Sequence, residues 1–265
     1  MKKIFRKIYE LITGALKRTG NMLIYPFRMH DKKAQPEMKK MPVWKKCLVW
    51  TAWAVSLFHG VVITFGLFFS ILYNFVDPPC SSFMVYRMIF DDVEIRKNEF
   101  IPLKKLPKRM ASMLVRVEDG NFYKHYGIDL DAIESARKRN EKAGFNKYGG
   151  STITQQLVKT LLLVPDKFLI RKYAEIIISL EFDLIMRKDR ILELYLNNVE
   201  WGPGVFGIEA ASIHHFNKHA AKLSRDEVAR LITILPNPIK YNVKNFSKRK
   251  SMSLRYHHLS PVISE

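Results

Sequence analysis

The side chains best suited to chemistry in this 265-residue chain are two acids in a row, a pair of amides followed by a base, and two bases followed by an acid. They are Glu118-Asp119, Gln155-Gln156-x-x-Lys159 and Arg171-Lys172-x-x-Glu175. Paired carboxylates are the usual apparatus of glycosyl transfer: one takes the proton of the attacking hydroxyl and the other assists departure from the anomeric carbon. Arg171 offers a planar donor fork and Lys172 a compact charge, a combination suited to a diphosphate, although a solvated basic face is the plainer reading of those two residues alone. Glu118 and Glu175 can meet only through the fold. His125 reads as a structural donor, and no HExxH or clustered Cys/His pattern points to a metal site.

The elements that must position these groups are mostly helical. Met110, Met113, Leu114 and Val117 keep a 3.6-residue period that Gly120 interrupts, so Glu118 and Asp119 are expected in a loop. Residues 130 to 142 suit a polar surface helix, followed by a Gly-bearing loop with Phe145 and Tyr148. Ser151 or Thr152 can cap a helix from Ile153 to Leu163 that Pro165 stops. Further helices are expected over Leu169 to Met186, Asp189 to Asn197, Ile208 to His215 and Ser224 to Ile234, the last with Glu227 at the capping-box position. Residues 77–104 read as a linker with one short strand around Phe83 to Phe90, and residues 246–265 as a basic, poorly ordered tail.

The formal charge of +19 calls for an anionic partner. About half of that excess lies in residues 1–46, where thirteen Lys or Arg face three acids. Leu48 to Tyr73 then runs for twenty-six residues without Lys, Arg, Asp or Glu, beyond the roughly 20 needed to cross a bilayer. A transmembrane helix is therefore placed at 47–76. Lys39, Lys40, Lys45 and Lys46 crowd its N-terminal edge, so positive-inside bias leaves the N-terminus cytoplasmic and everything after about residue 77 outside. Ile4, Ile8, Leu11 and Ile12 amid bases suit either a helix lying on an anionic leaflet or a solvated tail. Because the basic tail precedes a membrane span, a nucleic-acid partner is not expected.

Five segments in order resemble the peptidoglycan glycosyltransferase family: VEDGNFYKHYGID (117–129), GGSTITQQLVK (149–159), RKYAE (171–175), RILELYLNNVEWGPGVFGIEAAS (190–212) and ILPNPIKYN (234–242). The wording EWGPGVFG and LPNP is most similar to the monofunctional branch. Ser135-x-x-Lys138 and Ser247-x-x-Lys250 spell the transpeptidase S-x-x-K pattern without its S-x-N and K-T-G companions. The resemblance implies a mainly α, lysozyme-like glycosyltransferase domain over residues 105–245, with a smaller membrane-proximal lobe for which Phe145, Tyr148 and Phe168 are candidates. It implies Glu118 as general base and Glu175 on the leaving side. Asp119, Thr152, Gln155, Gln156, Lys159, Arg171, Lys172 and Asn197 are the implied substrate-binding residues, with Asn197, Gly202, Gly204 and Gly207 shaping the site.

The implied reaction polymerises lipid II into β-1,4-linked glycan with release of polyprenyl diphosphate, at the bacterial cytoplasmic (inner) membrane with the catalytic domain periplasmic. Its implied partners are lipid II, the nascent strand, the membrane and other cell-wall synthases. No cofactor is obligatory, a divalent cation such as Mg or Mn at the substrate diphosphate being optional. One departure is visible: Thr160 follows Lys159 where the family has Asn. A lytic muramidase of similar fold and a non-catalytic cell-wall scaffold are the rival readings. The bases at 159, 171 and 172 weigh against the first and the two acids against the second.

Overall fold

The computed structural model describes residues 41–97, 99–144, 149–166 and 168–264. Most of the basic tail, together with Phe145 and Tyr148, lies outside these residues. The chain divides into two compact units, Met1–Thr64 and Phe65–Glu265. The division falls inside the first helix, α1 (Val43–Phe75). At 33 residues, about 50 Å of helix, α1 exceeds the roughly 30 Å of hydrocarbon in a bilayer. Only 17% of its most apolar window is buried, and Trp50, Leu57, Val61 and Phe68 are exposed. A helix that is apolar all round and left uncovered suits a membrane span and not a soluble core.

The second unit continues with α2 (Ser82–Phe90), β1 (Arg96–Lys97), α3 (Met110–Glu118), α4 (Leu130–Ala143), α5 (Ile153–Leu162), α6 (Leu169–Ile185) and α7 (Lys188–Asn198). After these come β2 (Glu200–Gly202), β3 (Val205–Phe206), α8 (Ile208–Phe216), α9 (Arg225–Ile234) and α10 (Lys250–Ser264). The three strands form one small sheet in the order β1-β3-β2. β1 runs parallel to β3 with Arg96 opposite Val205, and β2 runs antiparallel to it with Glu200 opposite Phe206. The mainly α expectation holds.

Local chemistry accounts for the helix boundaries. Thr152 and Gln155 form a reciprocal capping box at the start of α5, and Ser224 and Glu227 form another at α9. Asp129 caps α4 by accepting from Ala132 N, and Gly144 ends that helix in the left-handed region at φ 73°. α5 lies at the centre of the core. Its Ile153, Leu157 and Val158 are fully buried against α6 and α7, whose Phe182, Ile191, Leu194 and Leu196 are equally enclosed.

Two expectations are corrected. Residues 83–90 are helical, not a strand. Their aromatic and β-branched content reads as β, but Ser81 caps the segment and Met84 is buried. Ser82 Oγ also donates to Thr160 O and Leu163 O at 3.0 and 2.7 Å, covering carbonyls that the end of α5 leaves free. The segment 246–265 is not a loose tail. It contains α10, which packs on α3 and α9 with Met252 and Leu259 buried.

A buried polar knot joins three elements. Asp183 Oδ2, on α6, accepts from Thr154 Oγ1 at 3.1 Å, from Lys188 Nζ at 2.8 Å and from the backbone N–H of Gly127. Lys188 also donates to His125 O at 2.8 Å. Gly127 has φ +70°, and a Cβ there would sit 2.4 Å from Ser179 O, so only glycine fits this approach. Replacing Asp183 by Ala would leave Lys188 without its carboxylate. Asp183→Ala is expected to cost about 3 kcal/mol of stability, read as a lowered denaturant midpoint.

Glu181 is a contrasting case, buried on α6 with no hydrogen-bond partner for Oε2. Its carboxylate fills the space beside Gly66, where an added Cβ would come within 1.8 Å of Oε2. Burial pushes this carboxyl up to about 7. The folded protein therefore holds a proton that the unfolded chain loses above about pH 4.5. Stability is greatest below that value and falls as pH rises through 7. Thermal melting at pH 5 and pH 8 should show Glu181→Gln losing much of that decline.

Candidate active site

Glu118 is the last residue of α3, not a loop residue, and its side chain is only 10% exposed. A carboxylate at the carbonyl end of a helix meets the negative pole of the helix dipole, so it needs donors from elsewhere. It has them on both sides. Gln156 Nε2, on α5, donates to Oε2 at 3.0 Å, and the Arg255 guanidinium, on α10, pairs with Oε1. The amide of Gln156 is itself oriented, because Tyr195 Oη on α7 donates to its Oε1 at 2.8 Å. Burial, and then the nearby charge of Glu118, push the Tyr195 phenol well above its ordinary value, so it stays a donor.

Glu175 lies nearly two turns into α6 and is 2% exposed. Arg171 holds its Oε2 at 2.5 Å, and Lys172 pairs with Oε1. Lys159 completes the basic group. Burial first, and the charges of Arg171 and Lys172, lower its ammonium, while Glu175 and Glu118 act the other way. Its Nζ stands 5.7 Å from the Phe83 ring. Three cations against one carboxylate leave a positive excess beside the N-terminal end of a helix, an arrangement that an arriving anion would relieve.

Two cavities open here. One, of about 300 Å³, is lined by Gln156, Lys159, Tyr195, Glu200 and Asn237 among others. The other, of about 340 Å³, is lined by Glu118, Asp119, Asp129, Arg139 and Thr152. The hydrogen-bonded pair Glu118 and Gln156 thus contributes one member to each cavity. A base so sited can serve two bound molecules that must react with each other.

The other sequence candidates are bonded within the protein, although Asp119 and Thr152 also line the second cavity. Asp119 accepts from Ile153 N at 2.9 Å and lies 2.9 and 3.0 Å from His125 Nε2, tying the first motif to the start of α5. Thr152 Oγ1 donates to Gly127 O at 2.6 Å, and Gln155 uses its Oε1 in the capping box while its buried Nε2 has no hydrogen-bond partner. Asn197 binds both Ile101 N and Ile101 O through its amide, each at 2.9 Å. These four hold the frame around the site. Tyr195 and Arg255 were missed: the first reads as core within RILELYLNN, and nothing in SKRKSMSLRYHH marks the second.

Asp119, His125 and Asp129 bring ligand atoms within 4.8 Å of one another and are the one group among the described residues spaced for a metal. Both carboxylates already meet protein donors, Asp119 taking Ile153 N and Asp129 taking Ala132 N and Asn121 Nδ2, each at 2.9 Å, whereas the buried Nδ1 of His125 has no hydrogen-bond partner. Burial raises the Asp129 carboxyl, but those donors and His125 outweigh it and hold it below its ordinary value.

The sequence model of the Transglycosylase family matches residues 87–258, well over half of the chain. This chain belongs to that family. Three relatives, each a biosynthetic peptidoglycan transglycosylase, illustrate the likeness. That of Herminiimonas arsenicoxydans is 42% identical over 170 residues, covering 63% of this chain and 74% of its own. That of Shewanella oneidensis is 41% identical over 188 residues, 68% and 80% of the two chains. That of Nitrosospira multiformis is 38% identical over 214 residues, 76% and 93%. The match from 87 to 258 takes in parts of α10 and of α2, both outside the 105–245 expected for the domain.

Thr152→Ala is expected to lower stability by about 1 kcal/mol, the cost of a lost helix cap, read from a denaturant titration. Ligand affinity should stay within about twofold of wild type, because the hydroxyl is spent on Gly127 and Gln155.

Proposed function

We propose that this chain is a peptidoglycan glycosyltransferase that polymerises lipid II, the lipid-linked disaccharide precursor, on the outer face of the cytoplasmic membrane. The observation that carries the reading is Glu118 held between Gln156 and Arg255 at the edge of one cavity, with Gln156 and Lys159 lining the other and Arg171 and Lys172 nearby. The reacting end of one lipid II is placed at each cavity, the donor diphosphate toward Lys159 and the acceptor sugar toward Glu118. Glu118 takes the proton from the 4-hydroxyl of the acceptor as that oxygen attacks the anomeric carbon of the donor. The bond from that carbon to the diphosphate breaks, and polyprenyl diphosphate leaves with the electron pair. Attack opposite an α-linked diphosphate gives a β-1,4 linkage.

The three bases meet the charge that develops on the leaving diphosphate. Glu175, engaged through both oxygens, acts by holding Arg171 and Lys172 in place. A divalent cation at the diphosphate would add to the same neutralisation. The exposed Phe168, Leu169 and Ile170 at the head of α6 suit contact with the lipid that carries the substrate. The lysines before α1 keep the N-terminus cytoplasmic, and tethering to the membrane raises the effective concentration of a lipid-bound substrate. A hydrolase would have no diphosphate to hold, and the basic cluster favours transfer on that ground.

The test is polymerisation of purified lipid II by detergent-solubilised protein, with products resolved on a gel before and after muramidase digestion. Wild type should yield muramidase-sensitive polymer, and Glu118→Gln should lose at least about a hundredfold in rate. Lipid II that is bound but never polymerised by either protein would point to a scaffold.

A further inference from the structure

α10 starts eight residues beyond the last segment that resembles the family motifs, and it packs on α3 and α9. Met252 and Leu259 are buried, and Tyr256 Oη bonds the Asp226 carboxylate of α9, which Arg230 holds at 2.7 Å from the other side. This register brings Arg255 over the C-terminal end of α3. Its guanidinium pairs with Glu118 Oε1 and lies 3.4 Å from Ile232 O, and the two paired side chains are 17% and 10% exposed.

We propose that Arg255 is a positioning residue for the transfer reaction, holding the Glu118 carboxylate from the side opposite Gln156 so that it faces the acceptor hydroxyl. The inference rests on the reading of Glu118 as the base. A carboxylate offers about four lone-pair sites, so one donor on each oxygen fixes its plane and still leaves room to accept a proton. Without Arg255, the negative pole of α3 and the pull of solvent would turn the carboxylate away. Arg255 touches no substrate in this scheme, so its loss acts on turnover and not on binding.

The experiment measures kcat and KM for lipid II polymerisation by the full chain in detergent, comparing wild type with Arg255→Ala, Arg255→Lys and Tyr256→Phe. Arg255→Ala should lose at least about tenfold in kcat with KM within about twofold, the signature of a misplaced group. Arg255→Lys should recover most of that loss. Tyr256→Phe, which loosens the same helix without touching Glu118, should keep wild-type kcat. Wild-type kcat in Arg255→Ala, or an equal loss in Tyr256→Phe, overturns the proposal. Absence of polymer from wild type itself would instead overturn the function proposed above.

Discussion

A partly buried carboxylate at the wrong end of a helix dipole is the constraint around which this protein is arranged. Glu118 terminates α3 with little exposure to water, and each of its oxygens is met by a donor from a different helix. Those donors are set in turn by elements further out. Tyr195 on α7 fixes the amide of Gln156 on α5, and α10 delivers Arg255. Four helices thus converge on one functional group, and the packing of α5 against α6 and α7 is what keeps them in register.

The second charged group solves the opposite problem. Arg171, Lys172 and Lys159 repel one another, and a single carboxylate, Glu175, holds two of them by direct ion pairs while its field reaches the third. The remaining positive charge is suited to an anion that comes and goes. Partial compensation is the useful state: a fully paired cluster would have no reason to bind a diphosphate, and an unpaired one would splay into solvent.

Around both groups, residues that resemble substrate contacts serve as braces. Asp119 and Thr152 bind the first and second motifs to each other, Gln155 closes the capping box within the second, and Asn197 pins the segment before α3. Asp183 and Lys188 do the same at the far end of α6, where Gly127 comes too close for any side chain. Such braces cost conformational freedom but leave the exposed groups few ways to move.

Much was legible from sequence because it is written in local patterns. The charge-free stretch from Leu48 to Tyr73, the helical periods, the caps at Thr152 and Ser224, and the five ordered motifs all depend on neighbours within a few residues, as does the membership of Glu118, Lys159, Arg171 and Glu175 in those motifs. What only the tertiary structure decided depends on contacts across long separations. The segment 83–90 became a helix because Ser82 and Met84 find partners on the body of the domain. Arg255 reaches Glu118 across 137 positions, from a segment whose composition reads as a loose basic tail. Whether Asp119, Thr152 and Gln155 face the substrate or the frame was likewise beyond local reading, since a side chain's type limits the bonds it can make while the fold alone chooses which of them it makes.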